Sequence, residues 1–192
     1  MSQAKYLIST FICILAIVAC TGEEAALTPT QQVYDVVMNE RLQNARTEVI
    51  VLKRTESSYL HDEHDDELRS YIEREVPIPD ALLSKLFESA NTSTAIDWKP
   101  VMINAIFVDK TDISSESDWR SPKFAEDFRA AFPEQEEFFA LSNVALSADQ
   151  TEAALVLSHY CPAMCGSGEF LIYLKKIGME WKIEGGTPFW VT

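Results

Sequence analysis

The chain predicts an α+β fold in one domain, an antiparallel C-terminal sheet (a meander) packed with N-terminal helices. Three observations carry this expectation. From residue 138 onward apolar residues alternate with a period of two, in runs separated by short turns. Before residue 138, stretches of helical period are interleaved with isolated β-branched runs. The 192 residues are 47% hydrophobic and 24% charged, which suits one packed core in a domain of ordinary size.

The elements follow in order. Thr28-Pro29 places a capping residue before a proline at the first helical position, and Val33, Val36, Val37, Met38 and Leu42 then stripe one helix face. Residues 47–55 hold a continuous run, Val49 to Leu52, which predicts a strand buried on both faces or an inner strand. Leu68, Tyr71, Ile72 and Val76 return to helical spacing, and the helix ends before Pro77. Residues 80–89 predict a further helix, 99–109 a second strand and 112–118 a polar loop. Ser121-Pro122 repeats the start signal, ahead of a stripe of Phe124, Phe128 and Phe132. The meander is expected as strands over 138–146, 152–159, 169–176 and 180–184, with Gly178 in the last turn and Phe189-Trp190-Val191 adding a final edge strand. Both faces of these strands are apolar, so helices should cover one face, and N-terminal strands or a partner part of the other.

The first nineteen residues stand apart. A single lysine, Lys5, precedes an apolar run over 6–19 that is shorter than the roughly 20 residues of a permanent membrane span and fits a signal peptide. The run ends Ile17-Val18-Ala19-Cys20, which resembles the lipobox of bacterial lipoproteins. The resemblance implies cleavage before Cys20 and lipidation of Cys20, with Thr21 in place of Asp pointing to the outer membrane. Two or more acyl chains anchor stably where one does not. The expected organisation is a signal peptide over 1–19, a lipidated tether over 20–28 and a single α+β domain over 29–192, held at the cell envelope.

Loss of Lys5 with the signal takes the net charge from −14 to −15. Such a domain repels phosphate backbones, so nucleic acid is not expected as a partner. The membrane contact runs through the lipid on Cys20, and the acidity serves solubility or forms an acidic binding face.

Cys13 leaves with the signal, and with Cys20 lipidated only Cys161 and Cys165 remain. An even pair in an oxidising compartment predicts a Cys161–Cys165 disulfide that stiffens a hairpin tip. The Cys-Pro-Ala-Met-Cys spacing is also similar to that of the copper site in thioredoxin-fold copper-delivery proteins, with Met164 and His159 as further donors. Here, however, strands flank the loop where those proteins have a strand and a helix. A redox dithiol would normally have two intervening residues rather than three. His159 and Cys161 can be read as a base and a nucleophile, or His159 simply as a polar strand end.

Residues 61–67 carry His61 and His64 among five acids, read as a solvated charged surface or a divalent-cation site. No residue is picked out as catalytic, as a metal ligand or as holding a cofactor: G-x-S-x-G, the P-loop and the dinucleotide fingerprint are all absent from the sequence. Phe170, Tyr173, Trp181, Phe189 and Trp190 cluster late, as sheet packing or as an exposed aromatic platform. The meander, through Leu141-Ser142-Asn143-Val144, Ser158-His159-Tyr160-Cys161, Cys165-Gly166-Ser167-Gly168 and the turn from Lys175-Lys176 to Trp181-Lys182, resembles uncharacterised exported bacterial proteins, a likeness that implies no activity. The sequence therefore predicts a membrane-anchored envelope protein acting as a non-enzymatic binding or interaction module. The alternatives are a carboxylate-dependent hydrolase, or metal or redox handling at the Cys161–Cys165 loop.

Overall fold

One mixed sheet with helices on both faces organises the chain, in a computed structural model that describes residues 26–42, 48–56, 65–90, 92–98, 104–116, 119, 121–161 and 166–191. The helices are α1 (Pro29–Leu42), α2 (Asp65–Glu75), α3 (Asp80–Ala90), α4 (Lys110–Ile113) and α5 (Pro122–Ala131). The strands are β1 (Val49–Leu52), β2 (Ala105–Val108), β3 (Phe138–Leu141), β4 (Ala145–Leu146), β5 (Glu152–Tyr160), β6 (Gly168–Ile177) and β7 (Glu180–Val191). Their order is β2-β1-β3-β5-β6-β7, with β4 also paired to β5. The α+β, single-domain expectation holds.

The proline start signals work as expected. Thr28 and Gln31 form a reciprocal capping box at α1: Thr28 N donates to Gln31 Oε1 at 2.8 Å and Gln31 N to Thr28 Oγ1 at 3.3 Å. Ser121 caps α5 by accepting from Phe124 N at 3.1 Å. Overlapping the start of the segment expected as a polar loop, a single helical turn, α4, buries Ile113.

The N-terminal strands correct one expectation. They do not cover the meander but extend it: β1 runs parallel to both β2 and β3, and β3 then pairs antiparallel with β5. Helices cover both faces instead. On the front face α1 sets Val33, Tyr34, Val37, Met38 and Leu42 against Val51, Leu141, Leu155, Ile172 and Trp181. On the back face α2 and α3 pack over Ala154, Val156, Leu171 and Tyr173. Beside them α4 and α5 pack over Ile50, Leu52, Phe138 and Tyr160. This explains the continuous apolar run of β1, whose four residues are all buried and divide between the two faces.

Two further corrections concern strand ends. The strand expected over 138–146 splits into β3 and β4, because Ser142 substitutes its side chain for a ladder partner: Val156 N donates to Ser142 Oγ at 2.8 Å. Asn143 then leaves the sheet to donate to the carbonyls of Ser89 and Thr92. The separate strands expected at 180–184 and at the C-terminus are one edge strand, β7. Its register against β6 shifts between Glu169/Phe170 and between Tyr173/Leu174, leaving Phe189 and Glu184 as the extra residues of two bulges. Bulges bend a strand and raise its twist. Together with Pro188, which has no N–H to offer, they blunt an edge open to pairing with another chain.

Candidate functional site

Two clefts flank α1, one at each end. The first, about 290 Å³, lies between the start of α1, residues 94–97 and the turn after β3. Several of its polar groups are bonded to one another or to neighbouring backbone. Gln31 Nε2 donates to the Asp97 carbonyl at 2.5 Å, Thr94 Oγ1 to Asn143 Oδ1 at 2.5 Å, and Tyr34 Oη to the Ser142 carbonyl at 3.0 Å. The Gln31 and Tyr34 bonds tie α1 to the 94–97 segment and to the carboxyl end of β3. Burial holds the Tyr34 hydroxyl well above the ordinary tyrosine range.

The second cleft, about 410 Å³, opens where α1 ends over β6 and β7. It is lined by the apolar residues Phe170, Ile172, Ile183 and Pro188 and by β7 from Glu184 to Thr187. The stretch lies between the two bulges, which supply the bend that opens it. Gly186 lets β7 run close to β6 there: a Cβ on it would meet the Leu171 carbonyl oxygen at 2.6 Å. Arg41, in the last turn of α1, lies at the rim with its guanidinium carbon 5.3 Å from the centroid of the Phe170 ring. No carboxylate within ion-pairing distance of Arg41 is found among the described residues. Glu184 also lines the cleft, but its charge is felt by the Tyr173 hydroxyl on the back face, where it helps to raise that group's pKa after burial and the hydrogen bond to Glu152.

His159 sits one diagonal step from Phe170 on the front face, since it pairs with Gly168 while Phe170 pairs with Leu157. Its Nε2 lies 2.6 Å from Glu137 Oε2, and its ring stacks on Phe139 at 5.0 Å. This is a histidine–carboxylate pair.

The sequence-predicted residues fare unevenly. Cys161 is buried and disulfide-bonded, and its amide donates to Ser167 Oγ at 3.0 Å. Cys20, Cys165, Met164, His61 and His64 lie outside the described residues. The late aromatics do not form one platform: Tyr173 and Trp181 are buried on opposite faces, and Phe170 lines the second cleft. Trp181 instead donates its indole N–H to Gln32 Oε1 at 3.2 Å, which fixes α1 on the sheet. Among the described residues no group of three or more metal-ligating side chains occurs, and no helix is long and apolar enough to cross a membrane.

Two features went unread in the sequence. Arg41 does not belong to the apolar stripe of its helix, yet it overhangs the cleft. Glu169 is fully buried in the back face, where its Oε1 accepts from Ser158 Oγ and Tyr160 Oη, each at 3.2 Å. The signal for Glu169 was present: it shares its parity with Leu171 and Tyr173, so it is an acid at a core position of an alternating strand.

Neither a family model, a curated protein nor a solved structure matches this chain.

Proposed function

We propose that the chain is a lipid-anchored protein of the bacterial cell envelope, tethered through Cys20, and that its domain is a non-enzymatic binding module whose ligand enters the cleft under Arg41. The observation that carries the binding reading is that cleft: about 410 Å³, lined largely by apolar residues and a bent strand, with Arg41 the one basic lining residue among those described and its guanidinium over the Phe170 ring. Small-molecule sites have this character, apolar surface with few polar groups, and run from roughly 300 to 1,000 Å³. A hydrolase worked by paired carboxylates would need two converging on the cleft, and among the described residues Glu184 is the one acid that lines it.

The export reading rests on the Ile17–Cys20 resemblance together with the bridged state of Cys161, which fits an oxidising compartment. Cys165 is the proposed partner of Cys161.

Every described element lies beyond residue 25, so a chain starting at residue 20 with Cys20→Ser carries the whole described fold and needs no detergent. Titrated with the neutral apolar fluorophore N-phenyl-1-naphthylamine, this protein is expected to show saturable one-site binding. Phe170→Ala should weaken that binding, and Thr30→Ala, at the other cleft, should not. Non-saturable binding, or binding indifferent to Phe170, refutes the cleft. In cells, wild type should take up labelled palmitate and Cys20→Ala should not; equal labelling of the two would end the anchoring claim.

A further inference from the structure

We infer that the cleft selects a small monocarboxylate with an apolar tail, of the chemical class of a medium-chain fatty acid. The inference rests on the cleft being a binding site and assigns its ligand class from charge complementarity. Arg41 is in the last turn of α1 and held over the Phe170 ring, so its guanidinium faces the cleft from above the apolar floor. A guanidinium binds a planar carboxylate through two parallel N–H···O contacts, which orients the head group as well as attracting it.

Three features argue for one negative charge rather than two. Among the described residues Arg41 is the only basic one lining the cleft. The end of α1 that overhangs it is the carbonyl end, which repels anions. The chain as a whole carries −14, so a dianionic phosphate pays more than a carboxylate to approach. Beyond the head group the lining offers Phe170, Ile172, Ile183 and Pro188, with Gly186 in place of a side chain on the wall. That apolar part of the lining suits an unbranched hydrocarbon, and Glu184, which also lines the cleft, adds a negative charge that disfavours a second anionic group on the ligand.

The test is calorimetric titration of the Cys20→Ser chain from residue 20 with decanoate, decanol and decylammonium, each below its aggregation threshold. Decanoate should bind at one site and tighter than decanol, with decylammonium weakest. Arg41→Gln should weaken decanoate about 5-fold or more and leave decanol unchanged, and Arg41→Lys should keep part of the preference. Decanoate affinity should fall with added salt while decanol affinity does not. If decanol and decanoate bind alike and Arg41→Gln changes neither, the carboxylate assignment fails while the cleft stands. If no tail compound binds and N-phenyl-1-naphthylamine shows no dependence on Phe170, both the assignment and the cleft fail.

Discussion

Phe138→Ala should destabilise the domain by about 3–5 kcal/mol, the usual cost of truncating a buried phenylalanine. Phe138 is 1% exposed and lies on β3, the strand that joins the parallel half of the sheet to the antiparallel half. Its ring is 4.8 Å from that of Tyr160, 5.2 Å from Phe128 and 5.7 Å from Phe124, so one side chain binds β3, β5 and α5 together. The cavity is hemmed in by other rings, which limits collapse and favours the upper part of the range. Domains of this kind are stable by about 5–15 kcal/mol in total, so the loss is a large share. At about 2–4 °C per kcal/mol for a chain of this size, the melting temperature should drop by about 6–20 °C. The assay is urea unfolding of the Cys20→Ser chain, followed by far-ultraviolet circular dichroism and by tryptophan fluorescence. The midpoint should fall with the slope unchanged and the two probes coincident, and Phe138→Leu should fall between wild type and Phe138→Ala. A loss under about 1 kcal/mol would refute the placement of Phe138 at this junction. Separate transitions for the two probes would show that the two halves of the sheet do not unfold together.

Further outcomes follow from the same packing. Stability should hold through neutral pH and fall above about pH 10, because burial raises the folded-state pKa of Tyr34, and burial, the Glu152 hydrogen bond and nearby carboxylates raise that of Tyr173. A raised folded value gives a contribution that is complete below the unfolded pKa and is lost as pH climbs toward the folded one. Tyr34→Phe should therefore flatten the alkaline limb and cost about 1 kcal/mol at pH 7 through the lost bond to the Ser142 carbonyl; an unchanged alkaline limb in denaturant titrations would count against it. Gly186→Ala should cost about 1–3 kcal/mol, since the added carbon collides with a backbone oxygen, whereas Gly185→Ala, whose Cβ would meet Val76 Cγ1 at an ordinary 3.5 Å, should cost less. The reverse order in thermal melts would contradict the register of β7.

Local chemistry carried the legible part of the fold. The pairs Thr28-Pro29 and Ser121-Pro122 begin helices because a hydroxyl cap and a proline at the first position both serve unbonded amides, and nothing distant can undo that. The run from Val49 to Leu52 read as an inner strand because only a strand covered on both faces tolerates it. What stayed hidden was set by partners far away in the chain. Val49–Leu52 cannot announce that it lies parallel to Phe138–Leu141, since register depends on loop closure and on which helix covers which face. The continuity of β7 through Gly185, Gly186 and Pro188 contradicted strand propensity, and the bulges at Glu184 and Phe189 resolve it. The cleft followed the same rule. Phe170 reads from the sequence as one member of an aromatic group and Arg41 falls outside the apolar stripe of its helix, and only the docking of α1 on the sheet brings them together.

The most direct test of the central claim is amide chemical-shift mapping of the isotopically labelled Cys20→Ser chain during titration with decanoate. The account predicts saturating shifts confined to the end of α1 at Arg41 and to Phe170, Ile172, Ile183 and Gly186. Shifts centred instead on Thr30, Gln31, Thr94 and Asn143 at the other cleft, or no shifts at decanoate concentrations that saturate the calorimetric titration, would contradict it.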